Sequence, residues 1–332
     1  MTPSKKVDLD ISTWNDHVED TYLGIKDHLN ETPLLSSKKL NQLLGIQIFV
    51  KAENLQKTGS FKIRGALSSI SRLSAEQLRN GVLAYSSGNH AQGVAMAAQI
   101  FNTSATIVMP SDAPKVKVLG TKAYSPNIIF YDRFNESREE IGKKIANEKN
   151  LTIIKPYNSI NTIFGQATAA FEVVNQIDIE IDSVLVCAGG GGLTAGFSII
   201  MKKYYPKCEI YTAEPEHWND HEQSFKNNKI TPLKSIRPSI CDGLLAMEPG
   251  EITFKINSAM GVQGLSCDDQ HVIDAMKIAK EYFDQKLEPS GAVALGCLIK
   301  NRSLFNGKNV VITFSGGNVD DSEYDKLVNR SN

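Results

Sequence analysis

The chain has only five cysteines, Cys187, Cys208, Cys241, Cys267 and Cys297, and no C-x-x-C pair among them. Neither a disulfide framework nor a zinc ribbon is expected, and an odd set of free thiols suits a reducing cytoplasm. Charge of one sign is also lacking. Against 36 Lys+Arg stand 37 Asp+Glu, a net charge of −1, so no basic field exists to draw nucleic acid or an anionic membrane, and the expected partner is a small molecule. Long apolar runs are scarce. Only Val184 to Met201 approaches membrane-span length, and its four consecutive glycines, followed by Thr194 and Ser198, suit a strand, a turn and a helix better. The opening MTPSKKVDLDISTW has no apolar signal-peptide stretch. There is no repeat, no low-complexity tract and no G-x-x-x-x-G-K-[ST], so a nucleotide triphosphatase is not expected.

What the sequence does contain is alternation. Strand candidates VLAYS (82–86), ATIVMP (105–110), NIIFYD (127–132), LTIIKPY (151–157), SVLVCA (183–188), EIYTAE (209–214) and NVVITFS (309–315) alternate with amphipathic stretches such as HAQGVAMAAQIF, SREEIGKKIANEK and GQATAAFEVVNQI. That order predicts an α/β fold of parallel sheets with helices on both faces. Seven or more units exceed one comfortable open sheet. Two open, twisted lobes are expected, a large one from 1–79 and 156–332 and a small mobile one from 80–155, with the ligand in the cleft between them. Asn219 to Pro249 has little periodicity and reads as a long surface excursion.

CAGGGGLTAG (187–196) follows a strand and opens a helix. Glycines let backbone N–H groups approach an anion, and the helix N-terminus adds partial positive charge, so the loop points to a phosphate. Gly190-x-Gly192-x-x-Ala195 also meets the relaxed dinucleotide fingerprint, with Glu214 placed as a ribose-binding acid, which leaves a nicotinamide enzyme or nucleotide-binding module open. KTGSFKIRGA (57–66) sets Lys62 between Phe61 and Ile63. Most such lysines reach solvent along their stems, but a desolvated amine is also a reactive one, able to form a Schiff base with an aldehyde. A phosphate loop and a reactive lysine together suggest pyridoxal 5′-phosphate. The donor-rich loop Ser86-Ser87-Gly88-Asn89-His90 is suited to a substrate carboxylate or, more plainly, to capping the next helix.

SFKIRGA, SSGNHAQG (86–93), GGGGLTAG, EPSGAVAL (288–295) and SGGNVD (315–320) occur here in the order in which they appear in the serine/threonine dehydratase and serine racemase family. This is the tryptophan-synthase-β-like group of pyridoxal phosphate enzymes of fold type II, and the resemblance runs from about Thr32 to Asp320. It implies that Lys62 is the Schiff-base and catalytic lysine and that Phe61 packs on the cofactor ring. Asn89 then meets the ring hydroxyl, Gly189, Gly190, Gly191 and Gly192 cradle the phosphate, and Ser315 faces the pyridine nitrogen. Ser86, Ser87, Asn89 and His90 are implied substrate contacts, and Ser87 also matches the residue that returns a proton in racemases. Glu214, Asp220 and the Trp218 carbonyl resemble a divalent-cation site for Mg²⁺ or Ca²⁺, whose hard oxygen ligands they would supply. His217, His221 and Glu222 fit no zinc spacing.

The expected activity is β-elimination of a small β-hydroxy amino acid, L-threonine or L-serine first, to a 2-oxo acid and ammonia. Serine racemase and threo-3-hydroxyaspartate ammonia-lyase are the alternatives. Ala246 stands where mammalian-type racemases carry a serine. Arg138 and Glu139 lie where relatives have residues that balance elimination against racemisation. Relatives also imply a homodimer or homotetramer. Because the chain ends soon after SGGNVD, feedback inhibition by isoleucine is not expected.

Overall fold

Ten strands form two separate sheets in the computed structural model, which describes residues 14–86 and 88–329. In chain order they are β1 (Leu34–Leu35), β2 (Gln47–Lys51), β3 (Val82–Tyr85), β4 (Ala105–Pro110), β5 (Asn127–Tyr131), β6 (Thr152–Ile153), β7 (Ser183–Cys187), β8 (Glu209–Pro215), β9 (Gln263–Cys267) and β10 (Asn309–Thr313). The larger sheet has the order β1-β2-β10-β7-β8-β9 and the smaller β5-β4-β3-β6. Every pairing is parallel except the β1–β2 edge. Such sheets need cover on both faces, so a central strand reads as an unbroken apolar run. Val184, Leu185 and Val186 of β7 are fully buried accordingly.

The expected α/β architecture of parallel sheets is the one observed, with differences at its margins. LTIIKPY shrinks to Thr152–Ile153: Ile154 still donates to the Leu83 carbonyl at 2.8 Å, but its own carbonyl goes to the His90 ring and Pro156 ends the pairing. β1, β2 and β9 were not expected. The stretch from Asn219 to Pro249 is not a surface excursion, since it carries the helix Asp220–Lys226 and buries His221, Leu233, Cys241 and Leu244. Its apolar residues enter the core singly from irregular backbone, which leaves no period to read.

Functional loops of parallel sheets gather at the carboxyl ends of their strands. Here Ser86 to His90 follow β3, Gly189 to Gly192 follow β7, Trp218 and Asp220 follow β8, and Ser315 follows β10. The helix Lys62–Ile70 is fixed from behind by a fully buried ionic hub. Arg64 Nε meets Glu53 Oε2 at 2.7 Å and Nη1 meets Glu172 Oε1 at 2.7 Å, while Lys51 Nζ takes Glu172 Oε2 at 2.6 Å. Two positive and two negative groups leave no net buried charge, the condition under which such a cluster is tolerated.

Candidate active site

A cavity of about 380 Å³ opens where these loops converge. It is walled by Phe61, Lys62, the glycine loop and Ser315 on one side, and by Ser86, Asn89 and His90 on the other. Lys62 is the first residue of its helix, with Nζ 3.2 Å from the Pro156 carbonyl and 5.0 Å from the centre of the Phe61 ring. Burial lowers its pKa to about 8, so the neutral, nucleophilic amine is readily formed.

The glycine loop runs from β7 into the helix Gly192–Tyr204. Gly191 has φ +84°, open to glycine without strain, and a Cβ there would lie 2.3 Å from His221 Cε1. A Cβ on Gly190 would lie 2.2 Å from the Tyr157 ring. The loop is therefore a bare backbone cradle at a helix N-terminus, fit for a phosphate. Ser315 is buried at the end of β10, its hydroxyl 3.4 Å from the Ser290 carbonyl. Burial pushes the thiol of Cys187, which also lines the cavity, up to about 11, so it is neutral. An aldehyde-reactive amine, an anion cradle and a neutral hydroxyl around one cavity fit pyridoxal phosphate.

The structure brings Phe61, Lys62, Ser86, Asn89, His90, Gly189 to Gly192 and Ser315 to this one cavity; Ser87 lies outside the described residues. Ser86 Oγ accepts from the Gly88 N–H at 3.2 Å. Asn89 donates to Glu288 Oε1 at 2.5 Å and accepts from Asn318 at 2.8 Å. His90 Nε2 sits 2.9 Å from the Ile154 carbonyl, and burial lowers its pKa to about 3, which keeps it neutral.

Glu214, Trp218 and Asp220 stand apart from the cavity wall. Glu214 accepts from the His221 and Glu222 backbone N–H groups at 2.8 and 2.9 Å, while both Asp220 carboxylate oxygens are buried without a partner. Burial and the neighbouring acid push Glu214 well up, and burial pushes Asp220 up to about 8. A buried carboxyl without partners, Asp220, beside a second acid fits a hard divalent cation. Among the described residues no group of three or more His, Cys, Asp or Glu side chains is assembled for a metal.

Sequence reasoning missed a cross-cleft cluster. Lys117, from the helix Lys115–Lys122 beside the small sheet, reaches Asp242 Oδ2 at 2.6 Å and Glu288 Oε2 at 2.9 Å. Glu288 opens EPSGAVAL and so lay within a legible motif, whereas Lys117 and Asp242 gave no signal. Tyr85 and Tyr157 also line the cavity, as does Ala246. Arg138 lines it too, its guanidinium 6.0 Å from the centre of the Tyr85 ring and its Nε 2.8 Å from Glu139 Oε1.

Comparison with known proteins gives the site its context. The family model described as "Pyridoxal-phosphate dependent enzyme" matches residues 25–316. L-threo-3-hydroxyaspartate ammonia-lyase of Saccharomyces cerevisiae is 40% identical over 319 residues, 96% of this chain and 97% of that protein. Maize serine racemase superposes with a TM-score of 0.88 at 37% identity, covering 93% of this chain and 94% of that one. The processed form of threonine deaminase isoform 2 from Solanum lycopersicum does so at 0.87 with 30% identity, covering 94% and 92%. With a matching family model, relatives along nearly the whole length and a cavity that suits the cofactor, this chain belongs to the pyridoxal-phosphate dependent enzymes of fold type II.

Proposed function

We propose that the protein is an ammonia-lyase that removes water and then ammonia from a small β-hydroxy amino acid, with L-threo-3-hydroxyaspartate as the preferred substrate. Threonine or serine, the first choice from the sequence, becomes the second reading. The observation that carries the preference is Arg138, a guanidinium on the cavity wall in addition to the donor loop at 86–90. Two receptors suit a substrate with two carboxylates, because guanidinium and carboxylate match in charge and in fork geometry. The yeast relative named for this substrate supports it.

Pyridoxal phosphate, when bound, supplies the aldehyde that captures the substrate amine and the ring that withdraws electrons from Cα. Lys62 accepts the Cα proton. The Ser86 and Asn89 side chains hold the α-carboxylate, and Arg138 takes the one on Cβ. Ser315 would offer the bound ring a neutral hydroxyl instead of a charged partner, a setting that would suit loss of the β-hydroxyl over transamination. Water and ammonia leave, water is returned on hydrolysis, and the net products are a 2-oxo dicarboxylate and ammonia. Glu214, Asp220 and the Trp218 carbonyl bind Mg²⁺ or Ca²⁺ as a structural ion in this reading.

The second reading has its own support. Glu139 already neutralises Arg138 at 2.8 Å, which leaves the wall better matched to a substrate without a second carboxylate. Release of 2-oxo acid from L-threo-3-hydroxyaspartate, L-threonine and L-serine, measured side by side with and without Mg²⁺, separates the two. A kcat/KM for hydroxyaspartate at or below that for threonine overturns the preference.

A further inference from the structure

The cradle at Gly189 to Gly192 is gripped from behind. His221 Nε2 lies 3.0 Å from the Gly189 carbonyl, Thr253 Oγ1 2.6 Å from the Gly190 carbonyl, and Asn257 Nδ2 3.4 Å from the Gly191 carbonyl. All three side chains are fully buried, and none lies on the cavity wall. A carbonyl only accepts, so the His221 tautomer carries its proton on Nε2. Thr253 has one proton for two carbonyls, Gly190 at 2.6 Å and Gly250 at 2.9 Å, and the shorter contact has the better claim on it. Thr253 and Asn257 are four apart on the helix Glu251–Ala259 and so share the face turned to the loop.

The loop's peptides are trans. Across a trans peptide the carbonyl of one residue and the N–H of the next point in opposite directions. Each carbonyl drawn back by a donor therefore turns the following N–H, of Gly190, Gly191 or Gly192, towards the opposite side, where the cavity lies. Among the described residues, neither the Gly190 nor the Gly191 N–H donates to another backbone carbonyl. The helix already holds the last of these carbonyls, since the Ala195 N–H donates to Gly191 at 2.9 Å, and the Gly250 N–H reaches the Gly190 carbonyl at 3.3 Å; ahead of the helix, glycine's freedom lets a peptide flip unless such donors hold it.

We propose that His221 and Thr253 are positioning residues that fix the two loop peptides ahead of the helix so that their N–H groups converge, with that of Gly192, on the cofactor phosphate, Asn257 adding a long contact to a carbonyl the helix already holds. The proposal rests on the reading of Gly189 to Gly192 as the phosphate cradle and extends it to residues that touch no ligand. It also gives the Asn219–Pro249 region and the helix after it a function: they are the backing of the anion site. His221 follows Asp220 directly, so the same short helix that carries one carboxyl of the acidic pair also carries the first grip.

The test compares two aldehydes that differ only in the phosphate. Cofactor-free protein is titrated with pyridoxal 5′-phosphate and with pyridoxal, following visible absorbance, for wild type, Thr253→Val and Thr253→Ser. The expected result is a wild type that prefers the phosphorylated form, a T253V variant that loses about tenfold of that preference with pyridoxal binding changed less than about twofold, and recovery in T253S. Equal weakening of both ligands, or no change in either, overturns the proposal, since a general packing defect does not distinguish the two. A wild type indifferent to the phosphate overturns the cradle itself. Should T253V not accumulate as folded protein, His221→Leu against His221→Gln repeats the comparison at the first carbonyl, the amide of H221Q restoring a donor.

Discussion

The amine of Lys62 donates to the Pro156 carbonyl and is enclosed by Phe61 and the cavity wall. Burial disfavours the ammonium, so the neutral form appears above a pKa of about 8 instead of the ordinary lysine value. Capture of pyridoxal 5′-phosphate by cofactor-free protein is expected to quicken as pH rises through about 8 and then level off. Stopped-flow absorbance measures this, and a midpoint near 10 contradicts the assigned environment. Lys62→Ala gives a protein that neither turns yellow nor releases oxo acid. At Arg138 the expected signature is selective. Arg138→Ala raises KM for hydroxyaspartate about tenfold, the worth of one bidentate charged contact, and leaves threonine within about twofold. Parallel loss on both substrates assigns Arg138 to the fold of the cleft instead.

The helix Lys62–Ile70 presents its first residue to the cavity and its third, Arg64, to the buried hub, so one element carries the reactive group and its anchor. Arg64→Met leaves Glu53 and Glu172 short of a partner in the core and is expected to cost about 3–5 kcal/mol, read as a shift in denaturant midpoint. A loss under about 1 kcal/mol makes the hub dispensable. How far such elements were legible follows from what each residue has to do. β4, β7 and β10 show as apolar runs because both faces are covered. β2 did not show, because its last residue, Lys51, looks like a surface lysine and is instead buried on Glu172. β9 (QGLSC) alternates weakly and borrows its order from β8. The glycine loop was legible because backbone chemistry restricts which residues serve there, whereas Lys62 and Ser315 stood out through the family resemblance and then proved to line the same cavity. Lys117 was not, since a lysine on KVKVLGTK reads as solvent-exposed. Its burial depends on room made by the distant Gly88, where a Cβ would meet Lys117 Cδ at 2.4 Å.

For the molecule as a whole, the acidic pair of Glu214 and Asp220 is a crowding of carboxyls that the proposed cation would relieve. Metal-free Asp220→Asn is expected to melt above metal-free wild type, because one of two crowded carboxyls is gone. Saturating Mg²⁺ should raise the wild-type Tm by several °C, ligand linkage contributing about 2.7 kcal/mol at about 100 Kd, and leave the variant unmoved. Differential scanning calorimetry decides it, and a wild-type Tm indifferent to Mg²⁺ and Ca²⁺ refutes the site. The two sheets differ in how soon they can exist. The small one is closed by residues 82–153, all local in sequence. The large one is not, because β10 inserts between β2 and β7, pairing Val310 with both Ile48 and Ser183. Until residues 309–313 leave the ribosome, β2 and β7 have bare inner edges, and the parts they belong to meet through helices and the Arg64–Glu172 hub but not through the sheet. Ser315 follows directly after that strand. A chain cut short before it lacks both the strand that joins β2 to β7 and the Ser315 hydroxyl at the cavity, so retention of the yellow cofactor doubles as a check that synthesis has passed β10.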